Sequence, residues 1–528
     1  MQQHTEGDQF LNPENFSSHY DYIIVGAGSS GSVIARRLTE EAEAKILLLE
    51  AGGSEAGIPG ISDPLRWLEN FGSAVDWNYA YQPTSLLNNR TIQVPRGKVL
   101  GGSGSTNVMI WARGDRAVFD RWAAAGNTGW DYESVLPFFR KTENWDGPQE
   151  ASRGTDGPMH IHQCTDLNIV SKAMMGAAQT YGMPYMDDTN TGEPLGTGPI
   201  QINVHEGIRE NPARAYLRPV LGHPNLTVLT GAQVQRLLFT GTRCTGISFI
   251  HKGQQHEAYT TQEVILTAGA IDTPRLLMLS GIGNASDLEK LGIAIVADLP
   301  GVGQNLQDHP VIAGISFEAN EDLAPYTNNL ADGSLYWKSS PDQEIADLMM
   351  LATQGPFMSA EIQTKYPPVA NTFSLLTALV QVKGRGHIKL LSSQPDAPLE
   401  IQPNFLLEPG DVEAMLKGME LAFDLAEQPA LKKLIKRWVA PEKRPDREGM
   451  LDFLRESCAT YFHPVGTCAM GHHPEAVVNS KLLVHGIEGL RIADASVMPE
   501  ITSANTQAPT MMIAEFAAQL ILTGRKLL

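Results

Sequence analysis

Apolar positions in the first fifty residues come in short dense runs. Tyr22 to Val25 is β-branched and aromatic, the pattern of a buried parallel strand. It breaks into Gly26-x-Gly28-x-x-Gly31, after which Val33, Ile34 and Leu38 fall on one face of a predicted helix. A second run, Ile46 to Leu49, ends at Glu50, about 20 residues past the last glycine, the spacing of a dinucleotide-binding unit. The glycines allow a tight turn and close approach of backbone to a pyrophosphate at the helix N-terminus. Glu50 is then placed to accept hydrogen bonds from ribose hydroxyls.

The pattern changes further along. Ser54 to Pro83 carries scattered Pro, Gly and Trp and predicts a long irregular excursion. Glu150 to Pro219 is polar and turn-rich and reads as part of a substrate-side domain. Strand-like runs return at Leu226–Leu238 and Glu263–Leu266, and an apolar helix pattern follows at Leu276–Leu279. From Val311 to Pro445 the runs Leu348–Leu351, Phe373–Val382 and His387–Leu391 alternate with loops and predict an antiparallel sheet. Asp411 to Leu425 is helix-like, with Val412, Met415, Leu416, Met419 and Ala422 on one face. Thr510 to Leu522 predicts a closing amphipathic helix whose apolar stripe packs in the core.

A second glycine-rich stretch, Pro95-Arg-Gly-Lys-Val-Leu-Gly-Gly-Ser-Gly-Ser-Thr-Asn107, presses backbone close to something and reads as a second cofactor contact. At this point the chain resembles the glucose-methanol-choline oxidoreductases, FAD enzymes that act on alcohols. The resemblance rests on Asp21–Gly31, Leu49–Gly52, Arg96–Asn107 with Trp111–Gly114, and Thr267–Gly283. It continues through Pro300–His309, His463–Gly471, Ala493–Pro499 and Asn505–Pro509, so the blocks span nearly the whole chain in order.

The resemblance implies an α/β fold: a Rossmann-type FAD domain, discontinuous over 18–155, 220–312 and 456–528, and an α+β substrate domain on an antiparallel sheet, 156–219 and 313–455. It places FAD against Gly26, Gly28, Ser29, Ser30 and Gly31, against Glu50 and Ala51, and against Trp77. Further contacts fall on Arg96, Val99, Gly102 and Ser103, on Asn107, Val108, Met109 and Ile110, and on the Val234 backbone beside the adenine. Asp494, Ala495, Thr506 and Gln507 complete the set. Thr106 stands where one branch carries a histidine joined to the flavin, so the FAD is expected to be non-covalent.

Oxidation of an alcohol needs a base for the hydroxyl proton while hydride leaves carbon. Among fourteen histidines, His463 is set apart by its place between Tyr461-Phe462 and Pro464-Val-Gly, and it falls on the family's base position. Asn505 falls on the position that orients the substrate oxygen; read alone, it is equally a helix N-cap. His309, His472 and His473 are read as structural or solvent-facing. The strand Leu348 to Ala352 is expected over the flavin, with Met350 and Phe462 lining an apolar substrate pocket. Asp347, Glu361 and Tyr326 are the residues that could still reach it. The modest length between Phe317 and Asp347 predicts a fairly open entrance.

The expected reaction is oxidation of an apolar or aromatic primary alcohol to the aldehyde, with oxygen or another acceptor regenerating the flavin. The family leaves two alternatives: a choline-type amino-alcohol dehydrogenase, and a hydroxynitrile-lyase-like activity that keeps FAD without net redox chemistry. A net charge of −19 argues against nucleic acid as a partner. Four cysteines without a CxxC pair predict a reducing compartment and no disulfide or zinc framework. A polar first twenty residues and the lack of any long apolar run predict a cytoplasmic enzyme with no membrane span.

Overall fold

The computed structural model describes residues 7–41 and 43–525; the first six residues of the polar leader lie outside the described residues. Two sheets organise the chain. The first has seven strands in the order Leu226–Thr230, Ile46–Glu50, His19–Val25, Gln254–Leu266, Arg243–His251 and Ala232–Thr240, with Leu490–Ile492 beside the end of Gln254–Leu266. Its left half is parallel, as the unbroken apolar runs require, and Ile23, Ile24, Ile46, Leu47 and Leu48 are fully buried. Its right half is an antiparallel meander built from the long strands 232–266. Helices Ser29–Glu41 and Gln507–Arg525 pack together on this sheet, so the chain's last helix covers its first. Arg37 pairs there with the buried Glu515 at 2.7 Å.

The second sheet has eight strands, all antiparallel. Its main order is Ile435–Ala440, Ser316–Ala319, Thr372–Leu379, Leu348–Thr353, Gly333–Trp337 and Gly196–Pro199. The turn-rich stretch Glu150–Pro219 thus supplies an edge strand paired with Gly333–Trp337, and Gly196 and Gly198 let the Pro184–Met186 backbone approach it, since a Cβ on either would meet the Pro184 or Met186 carbonyl oxygen. The segment between Phe317 and Asp347, read as an entrance, also supplies a full strand, since Leu335 and Tyr336 alternate into two buried faces. Helices Ile169–Thr180 and Pro409–Ala426 cover the sheet.

One side branch of this sheet matters most for the site. Pro310–Ile312 pairs with Cys458–Thr460, with Pro310 opposite Thr460 and Val311 opposite Ala459. That register sets His309 beside Tyr461, whose N–H donates to the His309 carbonyl at 2.9 Å. Two histidines far apart in the chain are thereby brought to one place. Among the described residues no helix is long and apolar enough to cross a membrane, and the four cysteines are buried and unpaired.

Candidate active site

Two cavities meet where the sheets adjoin. The first lies at the C-terminal ends of the parallel strands, where an open α/β sheet offers its crevice. Gly26, Gly28, Ser29, Ser30, Glu50, Ala51, Trp77 and Arg96 line it. So do Gly102, Ser103, Val234, Asp494, Ala495, Thr506 and Gln507. The second lies between the excursion 54–83, the segment 106–110 and the second sheet. Arg96, Ser103, Thr506 and Gln507 border both, which fixes the junction.

The two glycine-rich stretches press together in the wall of the first cavity. Gly102 has φ +55°, and a Cβ there would stand 2.8 Å from the Gly28 Cα. Gly31 does not line the cavity; a Cβ on it would lie 1.9 Å from the Gly26 carbonyl oxygen, so it serves helix-to-turn packing. Val99 is likewise a fully buried packing residue, outside both cavities. Glu50 accepts hydrogen bonds from the N–H groups of Ala27 (3.0 Å) and Gly52 (2.8 Å). Burial outweighs those two bonds and pushes its carboxyl up to about 7. The Ser30 hydroxyl is buried beside it with no partner, a donor left for a ligand. Asp494 is fixed in the same lining, accepting from Gly269 N–H, Thr273 hydroxyl and Ser496 N–H at 2.7–2.8 Å.

Asn107, Val108, Met109 and Ile110, expected on the cofactor, line the second cavity. Arg209 shapes that wall, donating to the Asn107 carbonyl at 2.6 Å and its side-chain oxygen at 2.8 Å. Nothing in the sequence pattern singled it out. The cavity's aromatic walls are Trp67, Phe71, Phe357, Tyr461 and Phe462, and Leu330, Leu351 and Leu376 add aliphatic surface. The irregular excursion thus contributes two of the rings. Phe71 and Phe462 meet edge to face at 5.4 Å. Arg96 is the one charged side chain among the described residues lining this cavity. Met350, expected in the pocket, is not there. Side chains alternate along Leu348–Thr353, so Leu351 and Thr353 reach the cavity while Met350 points into the core on the other face. Asp347 is tied to Ser339 and Glu361 to Arg90; neither they nor Tyr326 line the cavity.

His463 and Asn505 converge at the cavity's base. The Asn505 amide nitrogen lies 3.2 Å from Nε2 of His463, and its Oδ1 is buried without a partner. The amide therefore faces the imidazole and does not cap the last helix. Behind the ring, Nδ1 of His463 lies 2.9 Å from Nδ1 of His309, with the ring planes nearly perpendicular. His309, read as structural or solvent-facing, is fully buried against the imidazole; His472 and His473 are exposed. The signal available was its place at the end of the block Pro300–His309. Burial pushes His309 down to about 3. Burial, then the neighbouring His309 and Arg96, hold His463 well below the usual imidazole range.

Asp308 fixes the backbone at this point. Its carboxylate accepts from Tyr81 hydroxyl (2.6 Å), from Thr460 hydroxyl and from the His463 N–H (2.8 Å). Phe462, just before His463, has φ +67°, unusual for a bulky residue. Its carbonyl accepts from Arg96 at 2.8 Å, and its N–H donates to Thr460, which hold it there.

A neutral, buried imidazole whose Nε2 lies beside an amide at the edge of an apolar cavity can take a proton from a hydroxyl group that contacts both.

Comparison with known proteins finds relatives over nearly the whole chain. Two family models described as GMC oxidoreductase match residues 20–311 and 382–514. A mitochondrial choline dehydrogenase of Mus musculus is 36% identical over 95% of this chain and 89% of its own. An alcohol dehydrogenase (acceptor) of Pseudomonas putida is 37% identical over 95% of this chain and 96% of its own. Among solved structures, pyridoxine 4-oxidase from Mesorbium loti superposes with a TM-score of 0.91 at 30% identity, covering 94% of this chain and 98% of that one.

Proposed function

The chain belongs to the GMC oxidoreductase family, whose members bind FAD, and from that premise we propose that it oxidises an uncharged, largely apolar primary alcohol to the aldehyde. The first cavity suits FAD on its own chemistry: a cradle where Gly28 meets Gly102, an unpartnered buried Ser30 hydroxyl, and a carboxylate at Glu50. Ser29, Ala51, Asp494 and Ala495 would hold it along the same walls. With Thr106 at the junction side of the second cavity, the flavin is held without a covalent bond, and acid precipitation should leave it in the supernatant. A yellow pellet would contradict this. When bound, FAD supplies the hydride acceptor.

The protein's part is proton transfer and placement. The substrate hydroxyl donates to Nε2 of His463, and the same oxygen accepts from the Asn505 amide as charge develops on it. His309 behind the ring sets which nitrogen carries the proton: with Nδ1–H of His463 donated to His309, Nε2 keeps its lone pair. The aromatic walls exclude water and bind the rest of the substrate.

The observation that carries the substrate class is the lining itself. It offers rings and aliphatic groups, no carboxylate among the described residues, and a cation at Arg96. A second reading, choline, is favoured by the choline dehydrogenase relatives and by the rings, which can face a quaternary ammonium. Arg96 opposes it. The deciding experiment mixes the flavoprotein anaerobically with benzyl alcohol, furfuryl alcohol or choline and follows bleaching of the flavin. Faster bleaching per unit concentration by the neutral alcohols is expected; faster bleaching by choline overturns the substrate class. Cyanide release from a hydroxynitrile without bleaching by any alcohol overturns the oxidation itself.

A further inference from the structure

A second cluster of chemically competent side chains lies on the outer face of the small sheet formed by Glu143–Trp145, Met159–Gln163 and Gln201–Ile202, and it shares no residue with either cavity above. His160 and His162 stand two apart on Met159–Gln163, so both side chains leave the same face of the strand. Asp146 directly follows Glu143–Trp145, the strand paired beside it, and its N–H donates to the Ile161 carbonyl at 3.2 Å. That bond holds the carboxylate against the two imidazoles.

We propose that Asp146, His160 and His162 form a binding site for a divalent first-row transition ion, zinc foremost. One ligand atom from each lies within 4.8 Å of the others. Nε2 of His160 is 3.3 Å from the Asp146 carboxylate. Tetrahedral zinc with bonds of about 2.0–2.2 Å sets its ligands roughly 3.3–3.6 Å apart, a spacing the Asp146–His160 pair already has, while the other pairs would close from within 4.8 Å. Two imidazoles and a carboxylate are a donor set suited to zinc, nickel or copper rather than to calcium or magnesium.

The second observation concerns the nitrogen that His162 presents. Its Nδ1 sits 2.8 Å from the Val204 carbonyl, which can only accept, so Nδ1 carries the proton and Nε2 keeps the lone pair. A backbone carbonyl behind a ligating imidazole is the arrangement that fixes tautomer and ring direction in zinc sites. His205, next along the chain, lays its ring 4.1 Å from that of His160. Three protein ligands leave a fourth position for water on this half-exposed surface. The ion would clip the segment after Glu143–Trp145 to its neighbouring strand, which sequence spacing does not reveal because strand pairing makes the cluster.

The test uses the FAD-loaded enzyme, stripped of metal by chelator, and titrates zinc chloride while heat of binding and melting temperature are recorded. One equivalent of zinc should bind with micromolar or tighter affinity and raise the melting temperature, and chelator should reverse the rise. His162→Ala, and His160→Ala with His162→Ala together, should weaken binding by at least tenfold, about the scale lost when even an outer partner of a ligand is removed. Their flavin content should match wild type, which shows that the fold is kept. His472→Ala with His473→Ala, an exposed pair elsewhere, should bind zinc as wild type does. Absence of wild-type binding, or binding that survives the His160/His162 double change, overturns the site. Loss of binding only in the His472/His473 variant overturns it too.

Discussion

At the residue scale the site turns on a buried pair of imidazoles. Because burial and its neighbours depress His463, that ring stays neutral and able to accept a proton as pH falls through the ordinary histidine range. The acid limb of kcat/KM should therefore lie below about pH 6.5. His463→Ala should leave a yellow, folded protein whose flavin reduction slows by roughly two to four orders of magnitude. Asn505→Ala should cost about ten- to a thousandfold, mostly in kcat. Near-normal flavin reduction in His463→Ala would remove it as the base. His309 acts through His463. Replacing it (His309→Ala, with His309→Asn as the smaller change) should slow flavin reduction by roughly ten- to a hundredfold. It should also move the acid limb upward, because the nearby imidazole is one of the causes of the depression. A purely structural His309 would lower flavin content and leave the limb where it was. His463 was singled out in the sequence by its setting between two aromatic residues and a glycine turn together with the family resemblance, since the setting alone fits a buried structural histidine as well. His309 was not, since its contact spans 154 residues and is made by the pairing of Pro310 with Thr460.

At the scale of elements, the strand Leu348–Thr353 shows what a pattern contains and what it omits. A run of apolar residues announces a strand with two buried faces. It does not say which face meets a cavity, because a shift of one residue exchanges them. Met350 was expected at the substrate and lies in the core; Leu351 is the residue that borders the cavity. The two should therefore behave differently. Met350→Ala should destabilise the protein by about 2–5 kcal/mol, as deletion of a buried side chain does, with KM for an aromatic alcohol unchanged. Leu351→Ala opens onto space that already exists, so its main effect should be a KM raised by roughly tenfold. Thermal melts and steady-state kinetics on both variants check this; the reverse pattern would mean that the register is wrong. The excursion 54–83 teaches the same lesson from the other side. It has no periodicity to read, yet it delivers Trp67 and Phe71 to the cavity wall.

At the scale of the molecule, the parallel sheet and its return at the C-terminus were legible because glycine spacing and apolar runs carry them. The antiparallel sheet was legible as a class, but its edge strand from Gly196–Pro199 was hidden in a turn-rich stretch. The buried ionic cluster that ties these regions together was invisible, since single charged residues carry no periodic signal. Glu143 is fully buried and accepts from Trp111 indole N–H at 2.7 Å, from Arg113 at 2.9 Å and from Arg153 at 3.2 Å. Arg153 in turn pairs with Asp188 at 2.7 Å. Burial alone would raise the Glu143 carboxyl, but Arg113 and Arg153 outweigh it and hold it below the ordinary value of 4.5. Glu143→Ala would leave two guanidinium groups facing an emptied, water-poor space. The expected loss is about 3–5 kcal/mol, the usual consequence of removing one partner from a buried ionic group. Because the folded-state pKa is depressed, the stability Glu143 contributes is fully present above about pH 4.5 and fades as pH falls through its lower folded value. Unfolding followed by flavin fluorescence at pH 7 and again near pH 3 tests both halves: the gap between wild type and Glu143→Ala should be wide at the first and narrow at the second. A gap of equal width at both would mean that the lost stability comes from packing around Glu143 rather than from its charge.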